Sequence, residues 1–191
     1  MMRKFRVIVI GCSAGGLQAM MQIVPELPKE FPIPIILVQH RAKEPKDLLE
    51  EVLQHKTKLN VKQADEKEKI LPGYLYIAPP DYHLLIEQDE TFSLSSDEPV
   101  QYSRPSIDVL FESAASVYGA GLLGIILTGA NQDGTYGLKA IKSKNGYTIS
   151  QNPKEAAFQL MPESAIASNA VDQVLKLQEI KQFLINLTSD V

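Results

Sequence analysis

The stretch FRVIVIGCSAGG, residues 5–16, decides the fold of this chain. An apolar, β-branched run ends in small residues and glycines, and a helix-compatible segment follows. This order is typical of a strand-to-helix turn in an α/β protein. Glycines on both sides of Ser13 let the backbone turn sharply, and N–H groups at the helix start could stabilise an oxyanion there. The turn therefore raises the question of whether Ser13 is a nucleophile.

Similar apolar runs recur along the chain, with helix-compatible stretches between them. The predicted strands are Val7–Ile10, Ile35–Gln39, Tyr74–Ala78, Leu123–Thr128 and Tyr147–Ser150. The predicted helices are Gly16–Val24, Pro45–Gln54, Ser106–Tyr118, Asp133–Ser143 and Leu177–Leu187. Continuous rather than alternating hydrophobicity suits strands that are buried on both faces of a parallel sheet. We predict a doubly wound α/β fold, with a mostly parallel sheet and helices on both faces.

One antiparallel hairpin is inserted in this pattern. Alternating residues in His83–Glu87 and Thr91–Leu94 flank the polar turn Gln88–Glu90, as expected of two paired strands. The charge run Lys62–Lys69 mixes signs and predicts a solvated loop. No repeat or Gly/Ser-rich linker marks a boundary, so residues 1–191 are expected to form a single domain.

Composition excludes several classes of function. A net charge of −4 argues against a general nucleic-acid binder, which needs a basic surface to neutralise phosphates. The single cysteine, Cys12, excludes an internal disulfide and a multi-cysteine zinc site, and it favours a cytoplasmic location. No stretch approaches the roughly 20 apolar residues of a membrane span. Three scattered histidines without a ligand-spacing pattern give little support for a metal site.

The glycine-rich turn has rival interpretations. A dinucleotide-binding turn needs glycine where Ser13 stands, and it needs an acid near the end of the second strand, where this chain has Gln39-His40. A P-loop is excluded because no Gly-Lys-Ser/Thr follows. The string Gly11-Cys12-Ser13-Ala14-Gly15 satisfies the nucleophile-elbow pattern of α/β-hydrolases. A strand at residue 5, however, leaves no earlier strands for the usual topology of that fold.

Two other residues strengthen the hypothesis of a nucleophile. His40 ends the second predicted strand, and Asp133 follows the strand Leu123–Thr128 by a short polar turn. Carboxyl ends of parallel strands form the crevice where open α/β sheets bind ligands. A hydroxyl there needs a base such as imidazole, and the imidazole needs a carboxylate to orient it. Ser13, His40 and Asp133 supply these three groups.

Structural interpretations of the same residues stay open. His40 could be a hydrogen-bonded histidine at a strand end, and Asp133 could cap the helix that follows it. His55 lies in a charged helix and is expected to be solvated. His83 begins the hairpin and is a weaker alternative base.

With these residues identified, nearly the whole chain, from Val7 to about Leu187, resembles the catalytic domain of the chemotaxis receptor methylesterases, the CheB family. The resemblance rests on several motifs spread along the sequence. They are residues 10–16 (IGCSAGG), 38–40 (VQH), 71–79 (LPGYLYIAP), 104–111 (RPSIDVLF), 127–129 (LTG) with 133–134 (DG), 150–152 (SQN) and 161–162 (MP).

The resemblance implies a function. Ser13 would be the nucleophile, His40 the general base and Asp133 the residue that orients the imidazole. The reaction would be hydrolysis of γ-methyl glutamate esters on the cytoplasmic helices of chemoreceptors, or on another methylated protein, with deamidation of particular glutamines. Neither a metal nor an organic cofactor is implied.

The same resemblance also implies roles for residues in the loops around Ser13 and Asp133. Backbone N–H groups near Ala14 and Ala130 are candidates for an oxyanion hole. Gly15, Gly16 and Gly129 are expected to allow close approach of the substrate.

The chain also departs from the family pattern. Ala14 stands where threonine usually follows the nucleophile, and Ala130-Asn131 replaces a Met-Gly pair. The segment after His40 also differs. These differences favour the alternative that the fold serves as a weakly active or inactive signalling module that binds a partner. A receiver domain usually precedes the catalytic domain. If this sequence is the whole gene product, an attached receiver cannot control the site, and the crevice is expected to be either uncovered or covered by a separate regulatory partner.

Overall fold

A computed structural model of the protein describes residues 4–41 and 48–190. Within these ranges, the strands are β1 Val7–Cys12, β2 Ile35–Gln39, β3 Asn60–Gln63, β4 Tyr74–Ile77, β5 His83–Ile86, β6 Phe92–Ser95, β7 Leu122–Ile126, β8 Tyr147–Gln151 and β9 Gln173–Leu175. Seven of them form one parallel sheet, in the order β3-β4-β2-β1-β7-β8-β9. The other two, β5 and β6, pair as an antiparallel hairpin.

Helices cover both faces of the sheet. They are α1 Gly16–Ile23, α2 Leu49–Gln54, α3 Ile107–Tyr118, α4 Thr135–Ser143, α5 Leu160–Ala167 and α6 Leu177–Asn186. The fold class predicted from the sequence is confirmed, including the inserted hairpin. In the described ranges, no helix combines the length and apolar character that a membrane crossing requires.

Two hydrophobic cores hold these layers together, one on each face of the sheet. Alternate residues of the central strand β1 point to opposite faces, so Ile8 and Ile10 enter one core and Val7 and Val9 enter the other. The first core packs against α1, α2 and α6, and the second against α3, α4, α5 and the hairpin. Burial of β1 on both faces explains its uninterrupted apolar sequence.

Some boundaries and elements differ from the prediction. Strands β3 and β9 were not predicted, because each lies at a sheet edge with one paired neighbour and a partly exposed, polar sequence. The predicted loop Lys62–Lys69 was wrong at its start, since Lys62 and Gln63 belong to β3. Helix α5 was also missed. Its first turn contains Pro162, which the start of a helix tolerates.

Two predicted helices begin two or more residues later than expected. The helix predicted from Pro45 begins at Leu49, and residues 45–47 lie outside the described residues. The helix predicted from Asp133 begins at Thr135, because Gly134 adopts a left-handed φ of 96° before it. Asp133 is thereby left in the loop, with its side chain available to another element.

Candidate active site

The three residues singled out at strand ends lie at neighbouring positions. Strand β1 lies between β2 and β7 in the sheet. Ser13 follows β1, His40 follows β2, and Asp133 belongs to the loop after β7. Backbone hydrogen bonds continue past the strands, from Ser13 N–H to the Thr128 carbonyl over 3.0 Å and from His40 N–H to the Cys12 carbonyl over 3.0 Å. The sheet therefore fixes the positions of Ser13, His40 and Thr128 relative to one another at the points where these loops begin.

Asp133 is fully buried and accepts hydrogen bonds on both carboxylate oxygens. Oδ2 accepts from His40 Nε2 over 2.7 Å and from Ile107 N–H over 2.6 Å. Oδ1 accepts from the Ser106 hydroxyl over 2.9 Å and from Asp108 N–H over 2.9 Å. Asp133 therefore caps the N-terminus of α3 from another loop. The alternative interpretation, that Asp133 caps the helix following it, is wrong, because that helix has no side-chain cap.

These donors determine the charge of Asp133. Burial on its own would raise the pKa of this carboxyl, but hydrogen bonds from His40, Asp108 N–H and Ile107 N–H lower it below its usual value. The N-terminus of a helix also favours a negative charge. Asp133 is thus an ionised acceptor, suited to hold an imidazole in one orientation.

The bond to Asp133 defines the state of the His40 ring. An ionised carboxylate only accepts, so Nε2 carries the proton and Nδ1 carries the lone pair of the neutral ring. Nδ1 lies 3.2 Å from the side-chain amide nitrogen of Asn131 and 3.5 Å from the Ser103 hydroxyl. The basic nitrogen thus faces away from Asp133, toward the loops that carry Ser103 and Asn131.

A cavity of about 400 Å³ opens beside these residues. Its lining includes Ser13, His40, Arg41, Tyr102, Ser103 and Asn131. Among the residues that the structure describes, no hydrogen bond joins the Ser13 hydroxyl to His40. The structure therefore brings His40 and Asp133 into direct contact. It places Ser13 on the same cavity, but not within a hydrogen bond of His40.

Backbone N–H groups at two turns remain available in this region. Within the described ranges, the N–H groups of Ala14 and Ala130 donate to no acceptor. The N–H of Gly129, by contrast, donates to the Phe158 carbonyl over 3.1 Å. Ala14 directly follows Ser13 in the chain, and an uncommitted N–H beside a serine is the kind of donor that an oxyanion hole requires.

The glycines near the site accommodate protein atoms. A Cβ at Gly16 would lie 2.2 Å from Gln39 Oε1, and one at Gly129 would lie 2.6 Å from Met161 Cε. Gly15 has a φ of 80°, and its Cβ would lie 2.8 Å from that of Ala157. These contacts explain why the three positions carry glycine, and the expectation that the glycines allow close approach of the substrate stays a prediction.

The other two histidines lie outside the cavity lining. His83 is buried, accepts a hydrogen bond from Ser106 N–H on Nδ1 over 3.1 Å, and bonds the Glu98 carbonyl through Nε2 over 3.0 Å. It therefore supports Ser106, which in turn donates to Asp133. His55 is exposed, as expected. Among the described residues, no cluster of three His, Cys, Asp or Glu side chains could hold a metal ion.

A second buried carboxyl lies next to Asp133. Burial raises the pKa of Asp108 to about 7, and the negative charge of Asp133 acts in the same direction. Asp108 Oδ1 accepts from Gly137 N–H over 2.7 Å, which links α3 to α4. Asp133 holds the negative charge of the pair, and Asp108 retains its proton more readily than a solvated aspartate.

Comparison with known proteins assigns this arrangement to a family. A family model described as CheB methylesterase matches residues 8–184. The chain belongs to the CheB methylesterase family. The resemblance identified from the motifs is thereby confirmed.

Individual CheB relatives agree with this assignment. A Leptospira interrogans protein, named as a proposed protein-glutamate methylesterase/protein-glutamine glutaminase, is 50% identical over 183 residues, covering 96% of this chain and 95% of the relative. A Carboxydothermus hydrogenoformans protein-glutamate methylesterase/protein-glutamine glutaminase 1 is 38% identical, covering 93% of this chain and 54% of the relative. The chain thus spans about half the length of this second CheB relative.

A solved CheB structure has the same fold. The crystal structure of the Thermotoga maritima CheB methylesterase catalytic domain matches with a TM-score of 0.92 and 35% sequence identity. The match covers 96% of this chain and 99% of that one.

Several residues that build this CheB-type site were not identified from the sequence. Ser106, Asp108, Gln39 and His83 were noted only within motifs or as a minor alternative, since their contacts join elements far apart in the chain. The motif Arg104–Phe111 did carry a signal, because it places a serine and an acid at a helix start.

Proposed function

We propose that this chain hydrolyses γ-methyl glutamate esters in proteins, with Ser13 as nucleophile, His40 as general base and Asp133 as the group that orients and stabilises the imidazole. The same site would hydrolyse the side-chain amide of particular glutamines. The observation that carries the proposal is the 2.7 Å hydrogen bond between His40 and the buried, ionised Asp133, on a cavity that Ser13 also lines.

The proposed reaction proceeds in two stages. Ser13 Oγ attacks the ester carbonyl as its proton passes to His40 Nδ1, and methanol leaves with that proton when the tetrahedral intermediate collapses. Water then attacks the acyl-enzyme as His40 accepts one of its protons, and His40 returns this proton to Ser13 Oγ when the acyl bond breaks and free glutamate is released. Ala14 N–H and Ala130 N–H would stabilise the oxyanion, and loss of one such donor elsewhere costs about 3 kcal/mol.

The proposed substrate is a methylated protein. The family assignment supports methylated chemoreceptor helices in the cytoplasm, or another protein that carries glutamate methyl esters. Tyr102 lies at the cavity with a fully exposed ring, where it would be the first side chain that a protein substrate meets.

Methanol release tests this function. The purified chain would be incubated with a methylated receptor fragment, and methanol would be measured over time. We expect release by the native protein, none above background by Ser13→Ala, and a fall of about a hundredfold or more for His40→Gln. Ser116→Ala removes an exposed hydroxyl from α3 and is the matched control. Release by Ser13→Ala at the native rate would contradict the proposal.

One observation favours a second candidate, a binding module that retains the fold without turnover. Within the described ranges, Ser13 makes no hydrogen bond to His40, whose Nδ1 already contacts Asn131. This candidate predicts receptor binding that is equal for the native protein and Ser13→Ala, with no methanol released by either. Binding accompanied by Ser13-dependent release would exclude it.

A further inference from the structure

We propose that Asn131 is a positioning residue that occupies the basic nitrogen of His40 in the resting site and must release it before Ser13 can react. This inference rests on the proposed function for the role of His40 as base. The contacts that carry it involve Asn131, His40 and Asp133.

The Asn131 amide is held in one orientation. Its Oδ1 accepts from the backbone N–H of Asp133 over 3.1 Å, two residues along the chain. This short turn is one that asparagine side chains commonly form. Because Oδ1 is committed to that N–H, Nδ2 points at His40 Nδ1, 3.2 Å away. The opposite orientation would lose the bond to Asp133 N–H and would set an oxygen against the lone pair of the ring.

The protons on His40 agree with this orientation. Asp133 fixes the ring proton on Nε2, which leaves Nδ1 as an acceptor. Asn131 donates to that acceptor. A proton on Nδ1 would instead face the amide N–H, so the contact favours the tautomer that carries its proton on Nε2.

The contact has a consequence for Ser13. In the proposed reaction Nδ1 receives the Ser13 proton, but in this structure the nitrogen is engaged by Asn131, with the Ser103 hydroxyl at a longer 3.5 Å. Among the described residues, Ser13 has no hydrogen bond to the ring. Asn131 must therefore move from Nδ1 before proton transfer.

Two substitutions separate this role from simple support of the loop. Asn131→Ala removes the donor and frees Nδ1. Asn131→Asp keeps an oxygen that can accept from Asp133 N–H, but it sets a carboxylate beside Nδ1 and favours a protonated ring. Gln132→Ala is the matched control, because Gln132 is the exposed neighbour in the same loop. If Asn131 only supported the loop, both Asn131 variants would change the reactivity of Ser13 in the same direction.

The first measurement is the rate at which a fluorophosphonate labels Ser13, with Ser13→Ala as the blank. In this reaction the Oγ–P bond forms, the P–F bond breaks, and the serine proton passes to His40. We expect Asn131→Ala to be labelled about two- to tenfold faster than the native protein, the range of one net hydrogen bond. Asn131→Asp should be labelled more slowly, and Gln132→Ala at the native rate. Equal or slower labelling of a folded Asn131→Ala would overturn the proposal.

The second measurement is the ¹⁵N spectrum of the imidazole, which does not depend on Ser13 being a nucleophile. We expect an unprotonated, hydrogen-bonded Nδ1 in the native protein and a protonated Nδ1 in Asn131→Asp at the same pH. If Ser13 is never labelled, the proposed function fails and this spectrum alone decides the inference. An identical Nδ1 signal in the native protein and both Asn131 variants would overturn it.

Discussion

The side-chain amide of Gln39 donates to the carbonyl oxygen of Ser13 over 2.8 Å. The same Nε2 also donates to the carbonyl of His40 over 3.1 Å, and Oε1 accepts from the Cys12 thiol over 3.0 Å. One side chain at the end of β2 thus connects the turn of the proposed nucleophile to that of the proposed base. Gly16 makes room for it, because a Cβ there would collide with Oε1.

Gln39→Leu is expected to lower both activity and stability. The substitution removes the donor between the two carbonyls, so the Ser13 turn loses its lateral support. We expect the free energy of unfolding in urea to fall by about 1–3 kcal/mol. In methanol-release assays, kcat should fall by roughly tenfold or more while KM changes little, since misplacement of a reacting group mainly slows chemistry. Gln22→Leu on the exposed side of α1 is the control, and equal losses in both variants would contradict this role.

Ser106→Ala is expected to weaken the proposed His40–Asp133 pair without unfolding the protein. Its hydroxyl is one of the donors to the Asp133 carboxylate, at 2.9 Å, and hydrogen bonds to charged groups contribute about 1.5–3 kcal/mol. Methanol release should fall by about tenfold to a hundredfold, while circular dichroism stays unchanged. Ser116→Ala on the same helix should retain full activity. Native activity in Ser106→Ala would show that the other three donors suffice.

The central part of the fold could be predicted from the sequence because burial on both faces leaves a clear pattern. Strand β2 was predicted with its observed bounds, and β1, β4, β7 and β8 within two residues at each end. Edge strands lack this signal. Asn60–Gln63 and Gln173–Leu175 each pair on one side only, and their polar residues are those of loops.

The sequence also predicted that Ser13, His40 and Asp133 lie at neighbouring strand ends, since parallel strands end at one edge of the sheet. It could not show the acceptor role of Asp133 at the start of α3, because that contact spans 25 to 27 residues of chain. Nor could it show that Asn131 faces His40, 91 residues away. Contacts between loops depend on the packing of whole elements, which local patterns do not encode.

Gly15→Ala is expected to destabilise the Ser13 turn. Gly15 has a φ of 80°, a conformation that costs an L-residue roughly 1–2 kcal/mol, and the added Cβ would lie 2.8 Å from Ala157 Cβ. We expect the free energy of unfolding to fall by about 2 kcal/mol or more, with loss of methanol release. Gly121→Ala is the matched control, because Gly121 has no positive φ and the nearest atoms to its Cβ would be those of the Arg6 side chain, at 3.2 Å. Equal stabilities of the two variants would contradict the expected strain.

Asp108→Asn is expected to change how stability depends on pH. Burial, with a smaller effect of the Asp133 charge, raises the pKa of Asp108 to about 7, whereas the unfolded carboxyl titrates near 3.9. The stability that the protonated carboxyl contributes is therefore complete below about pH 4 and is lost as pH rises through about 7.

Asparagine has no proton to lose and still offers Gly137 N–H an acceptor. The free energy of unfolding of the native protein, relative to Asp108→Asn, should therefore fall by up to about 1.4 kcal/mol per pH unit across this window. Urea unfolding at several values between about pH 4 and 8 would measure the difference. Asp133 is common to both proteins. The lowered pKa of Asp133 contributes stability that is lost as pH falls, which is the opposite dependence. Because both proteins contain Asp133, this contribution largely cancels in the difference between their free energies of unfolding. A difference that stays constant over this range would show that Asp108 is ionised throughout and that the contact with Gly137 alone explains its burial.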